Sequence, residues 1–291
     1  RGMVTGGLGM RVVSGGALLA IATFVAAILL LLVFLYSLTW AALAPPASAR
    51  ALPVRLVMTA VWLVAGLVSL LWASARGGEA MLPWLYTSVI VLSFAMLAGV
   101  SQRDHLSPRV LASAPRRWWQ RWPAFLLYGG SAGGLLWAVT MLLATEVVLY
   151  TGNRLGLWLP VVNLSEHLAV GLAIGIYGAG YALLGLLLHR WILANRVRPG
   201  LTWLLGLALM ATLALVAVVV DILVSSQAGP SSDLSLWRAC NPFALGHEVA
   251  RATAIYFGGP TVILLMFLAR SWLWQQAREY QPSLAPTGGQ R

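Results

Sequence analysis

The groups in this chain able to do acid–base, metal or redox chemistry are few: eight carboxylates, four histidines and one cysteine, Cys240, among 291 residues. Glu166 and His167 stand side by side, as do His247 and Glu248, with Glu146 and Asp221 on neighbouring apolar runs. Two imidazoles and two or three carboxylates make an oxygen–nitrogen set that zinc accepts. The stretch HEVAR at 247–251 lacks the second histidine of H-E-x-x-H, however, so the zinc-protease pattern fails at its second ligand. A b-type haem needs two histidines facing each other across a bundle. His167 with His247, or His105 with His189, match in depth, but all four lie at run ends or in loops. The Glu/His pairs fit equally well at helix starts, where a carboxylate meets the positive end of the helix dipole. No Ser-His-Asp order is visible, and Ser131 in GGSAGG lies in a helix-packing segment. One cysteine leaves no intrachain disulfide and no thiolate cluster. The expectation is a protein that is not an enzyme and that holds neither cofactor nor metal.

Asp221 is the candidate intramembrane polar site. It follows the run LVAVVV and stands about four residues inside the end of its helix. A carboxylate at membrane depth is costly and by default marks function, with Arg238 or Arg251 as its partner. The alternative is that it snorkels toward water or caps a neighbouring helix.

Composition says what must position these groups. The chain is 60% hydrophobic and 9% charged, against about 25% charged in a soluble protein, so it is an integral membrane protein. Its net charge of +11 comes entirely from arginine, because no lysine is present. A Walker A phosphate loop needs its lysine, and a Schiff base needs a lysine amine, so both are excluded. The arginines cluster at the ends of apolar runs, where topology and anionic headgroups place them. No nucleic-acid partner is expected; membrane lipids are.

Seven runs are long enough to cross a hydrocarbon core of about 30 Å: about 16–43, 56–74, 81–100, 124–150, 166–194, 201–225 and 253–274. The expected fold is an all-α polytopic transmembrane bundle over 1–275, followed by a disordered tail over 276–291 ending in QPSLAPTGGQR. The first run is too long for the apolar core of a signal peptide. Ser101–Pro123 fixes the topology, since it carries Arg103, Arg109, Arg116, Arg117 and Arg121 between two spans. Such a loop resists translocation. Placing it inside puts thirteen arginines on the inner side and six on the outer, with the N-terminus out and the C-terminus in. Trp118, Trp119 and Trp122 suit the headgroup level. Arg109, Arg116, Arg117 and Arg121, with Trp118 and Trp119, form either a lipid anchor or a short interfacial helix that docks a cytoplasmic partner. Gly171, Gly175, Gly178 and Gly185 repeat along one face of the fifth span, where small residues let helices approach closely in lipid. They suit packing within the bundle, or a homodimer seam.

Three segments together carry a resemblance: LAPPASARALPVRL at 43–56, LSPRVLASAPRRWWQRWPAFLLYGG at 106–130 and RACNPFAL at 238–245. They resemble the C-terminal membrane portion of long bacterial ABC-2-type transporter permeases. The resemblance implies a multi-pass, permease-like subunit of an export system in the bacterial inner membrane. Such a subunit works with a separate ABC ATPase and other membrane subunits, and that permease type has no catalytic residues to carry over. The upstream permease core of those proteins has no counterpart in this sequence. The alternative reading is a non-transporting membrane anchor or accessory subunit of a larger complex.

Overall fold

The computed structural model describes residues 24–25, 28–29, 31–37, 39, 43, 51–102, 115, 117–128, 130–158, 160–193, 199–228 and 248–279. Among these the chain is all α-helical, joined by short turns and without a strand. We label the helices α1 (Ala51–Arg76), α2 (Leu82–Gly99), α3 (Trp118–Tyr128), α4 (Gly130–Arg154) and α5 (Leu164–Leu188). They continue as α6 (Thr202–Ala228), α7 (Glu248–Thr253), α8 (Gly259–Leu268) and α9 (Arg270–Glu279). A π-helical turn, His189–Leu193, prolongs α5, and another, Ala254–Gly258, joins α7 to α8.

Six stretches are long and apolar enough to cross a bilayer: Ala51–Arg76, Gly78–Gly99, Gly130–Arg154, Leu164–Leu193, Thr202–Val220 and Arg251–Leu268. Helices satisfy their own backbone groups, which hydrocarbon demands. The chain is a multi-pass membrane protein. The seventh expected span, 16–43, falls largely outside the described residues; those described between 24 and 43 are helical.

α2 lies at the centre, packed chiefly on α4 and α5. Leu85, Val89, Leu92 and Met96 recur at helical spacing and are buried. Against them stand Leu135, Ala138, Leu142 and Leu149 of α4 and Ala182, Leu183 and Leu186 of α5. α1 is peripheral: Leu56, Leu63, Leu67 and Leu71 are exposed, which in a membrane means facing lipid. The glycines of α5 meet three neighbours. Gly171 abuts Glu146, Gly175 abuts Leu142, Gly178 abuts Ser93 and Gly185 abuts Gly206. The last contact is backbone on backbone, since a Cβ on Gly185 would stand 2.9 Å from the Gly206 nitrogen.

Two expected boundaries are corrected. The fourth span does not run from 124: α3 ends at Tyr128 and α4 begins at Gly130, whose φ of 74° breaks the helix. The last span does not run unbroken to 274. It stops at Ala269 (φ −84°, ψ 2°), and the chain restarts as α9. Residues 276–279 therefore belong to a packed helix rather than to a disordered tail, because Trp272 and Gln276 are buried; 280–291 lie outside the described residues.

Gly185→Val should separate α5 from α6 and cost about 1–3 kcal/mol, the usual range for overpacking. Gly180→Ala should be neutral, its Cβ finding only Val262 at 3.6 Å. Thermal unfolding in detergent compares the two.

Candidate functional site

The end of the bundle that carries the arginine loop is built around two buried polar side chains. Arg55, in the second turn of α1, is 3% exposed. Its Nη1 donates to the Leu126 carbonyl at 2.6 Å, and its Nη2 donates to the Gly130 carbonyl at 3.1 Å and to Gln102 Oε1. The last carbonyls of α3 have no partner within their own helix and stand at the negative end of its dipole. A guanidinium, with five donors in a rigid fork, satisfies several acceptors at once. Gln276, on α9, serves the facing terminus. Its Oε1 accepts from the Ala132 N–H at 2.9 Å, in the first turn of α4, and its Nε2 donates to Ser131 Oγ at 2.9 Å.

GGSAGG makes room for both. A Cβ on Gly133 would strike the Phe125 carbonyl, and one on Gly134 would stand 2.7 Å from Arg55 Nη2. Gly129 lies outside the described residues. Around this junction is a basic and aromatic surface. Arg117 is exposed, Trp122 is 60% exposed, and Arg121 Nε donates to the Pro115 carbonyl at 3.4 Å. α9 adds exposed Arg270, Trp274 and Arg278.

The opposite end holds Tyr86, Glu166, His167 and Arg251. Tyr86 Oη and His167 Nδ1 are 2.7 Å apart, and Arg251 Nη1 donates to Glu166 Oε1 at 2.7 Å. Glu146 is deeper, about 12 Å along α4 from Arg154 at about 1.5 Å per residue. Both its carboxylate oxygens are buried with no hydrogen-bond partner among the described residues, and Oε1 rests against Gly171. Immediately before it in the chain, Thr145 accepts a hydrogen bond from Trp62 Nε1 at 2.9 Å and donates to the Met141 carbonyl.

The structure distributes the sequence candidates unevenly. Arg109, Arg116 and His247 lie outside the described residues. Trp118 and Trp119 open α3, Asp221 lies in α6 and Glu248 opens α7, but their side chains lie outside the description. Glu166 pairs with Arg251 and His167 with Tyr86, and Tyr86 in turn feels the charges of Glu166, Arg251 and Glu146. Among the described residues no group of three His, Cys, Asp or Glu side chains converges on a metal position. Sequence reasoning missed the roles of Arg55, Gln276 and Glu146. Arg55 had a signal: it sits inside the apolar run VRLVMTAV with no carboxylate near it in sequence. In comparisons with known proteins, no family model, no curated sequence and no solved structure matches the chain.

Arg55→Met removes the donor from two buried carbonyls and should cost about 3 kcal/mol. Arg55→Lys keeps the charge without the fork and should fall between. The readouts are the unfolding midpoint and the rate of tryptic cleavage at Arg117 and Arg121, which should rise as α3 loosens.

Glu146→Gln keeps the shape and removes the capacity to ionise at depth. Its melting temperature should match or exceed the parent's, as expected of a residue retained for function at a cost in stability.

Proposed function

We propose that this chain is a permease-like subunit of a bacterial ABC-type export system, lying in the inner membrane with its N-terminus out and its C-terminus in. It would depend on a separate ATPase and perform no chemistry of its own. The observation that carries this reading is the mounting of α3. This short helix follows the arginine loop and presents Trp122 to the surface, with Arg117 just before it. Through Leu126 and Gly130 it is tied to Arg55 of α1, and at Gly130 it joins α4. A partner that pushes on α3 therefore loads two spans together. A loop serving only as a topological marker has no use for a buried guanidinium at its end.

The unpartnered carboxylate of Glu146 supports a pathway as well, because an ionisable group at membrane depth faces a substrate or ion route by default. The candidate Asp221 takes the same role from α6 in this reading.

A specific observation favours the second reading, a non-transporting anchor. Two lateral grooves of the bundle, one beside α1 and α4 and one between α5, α6 and α8, are lined almost wholly by apolar side chains. A bundle of that kind holds partners in place without conducting anything.

Purification in mild detergent with mass spectrometry of the co-purifying proteins separates the two. The export reading expects an ABC ATPase at near-stoichiometric yield, lost from an Arg117→Glu/Arg121→Glu variant that still inserts in the membrane. Recovery of an enzymatic or redox complex without any ATPase overturns it in favour of the anchor. Retention of the ATPase by the variant overturns docking on α3.

A further inference from the structure

Among the described residues, Glu146 alone holds carboxylate oxygens that are buried without a hydrogen-bond partner. Their surroundings are apolar. Oε1 rests against Gly171 of α5, and Val89 of α2 adjoins the same point, 3.5 Å from where a Gly171 Cβ would stand. Val89 lies seven residues beyond Leu82, the start of α2, and Gly171 seven beyond Leu164, the start of α5. Both are therefore about 10 Å from their helix ends, at about 1.5 Å per residue. One turn farther in, Leu142 of α4 fills against Gly175.

One turn farther out stands a polar pair. Tyr86 precedes Val89 by three residues and His167 precedes Gly171 by four, spacings that keep each on the face of its helix that flanks Glu146. Tyr86 Oη and His167 Nδ1 are 2.7 Å apart, and both residues are half-buried. Beside them Arg251 of α7 holds the exposed Glu166 at 2.7 Å. Tyr86 feels the charges of Glu166, Arg251 and Glu146, so these four share one field. Of the other titratable groups, Tyr150 and Arg154 lie toward the end of α4, and Tyr177 and Tyr181 lie farther in on α5. α1 carries only Arg55 and Arg76, near its two ends.

An ionised carboxylate enclosed without a partner is costly, and a bound proton removes that cost. Calcium or magnesium fits worse, because either takes about six oxygen ligands. Here one carboxylate faces glycine and valine, and among the described residues no three His, Cys, Asp or Glu side chains converge. The pair above it is suited to protons. Histidine exchanges them near neutral pH, and a phenol both donates and accepts.

We propose that Glu146 is a reversible proton-binding site, reached from the Arg251 end of the bundle through the Tyr86–His167 pair. The proton comes from water at that end, binds one carboxylate oxygen and leaves by the same way; no other bond is made or broken. The inference deepens the pathway reading of Glu146 given above by naming the ion. It requires only that the chain spans a membrane, so recovery or loss of an ATPase does not bear on it.

Dicyclohexylcarbodiimide, an apolar reagent that modifies protonated carboxyl groups, tests this on the full chain in liposomes, with peptide mass spectrometry to locate the label. Glu146 should be labelled, at a rate that falls about tenfold per pH unit once the acid ionises, the slope of a single proton. This measurement needs no variant, so it decides even if Glu146→Gln fails to fold. Infrared spectra then read the route. The carboxylic acid C=O band that Glu146→Gln lacks should shift in D2O, and Tyr86→Phe or His167→Gln should slow that shift about a hundredfold, the order that a positioned proton-transfer group contributes. Absence of label at Glu146 at every pH where the chain stays folded overturns the proposal. Labelling that sodium suppresses at constant pH assigns the carboxylate to a cation and overturns it too. A D2O shift equally fast in the parent and in both route variants overturns it likewise, since the proton then arrives by another way.

Discussion

Hydrocarbon offers no hydrogen bonds, so a helix that ends within or near the membrane must find partners for its terminal backbone groups inside the protein. The junction between α3 and α4 is where this constraint bites. One helix stops and another starts across Gly130, exposing carbonyls on one side and N–H groups on the other. The two sets have opposite needs, and each is met by a side chain from a distant part of the chain. Arg55 brings donors to the carbonyls from α1, and Gln276 brings an acceptor to the Ala132 N–H from α9. In meeting them, the first described span and the final helix become fixed to the same point. The position of α9 follows from this junction.

The helices and their identity as membrane spans were legible in the sequence, because an apolar run of bilayer length has few alternatives. Four expected spans coincide with observed ones to within about five residues at each end, and the glycine spacing on α5 located a face that packs. The breaks were not legible. FLLYGGSAGGLLW reads as continuous apolar helix, but it is divided at the positive φ of Gly130, where Arg55 and Gln276 meet the freed backbone groups. Sequence hydropathy scores each residue by its own transfer energy. It has no means of seeing that an arginine inside VRLVMTAV has acceptors waiting from residues 126 and 130.

The same limit explains the acidic residues. Asp221 drew attention because it follows an unbroken apolar run, while Glu146 looked close to a helix end. In the fold α4 continues to Arg154, and Gly171 of α5 covers the Glu146 carboxylate. Depth in a membrane is a property of the neighbours as much as of the sequence interval. Glycine on the facing helix is what allows a carboxylate to be enclosed there at all, since a Cβ at 171 would collide with Oε1.

α1 connects these features, and its attachment is unequal along its length. At the loop end it is held by a charged, three-acceptor contact through Arg55, and hydrogen bonds to a charged group are the strong ones. Farther along it is held by neutral tryptophan bonds to Thr59 and Thr145, and interhelical bonds in membranes average only about 0.6 kcal/mol. Beyond these the groove separates it from α4 altogether. A helix clamped at one end and weakly bridged at the other pivots about the clamp when loaded. The clamp is also the point at which α3 enters the bundle. The entry of α3 is therefore fixed to the best-held point of α1, and the freedom of α1 to move is greatest at its Arg76 end.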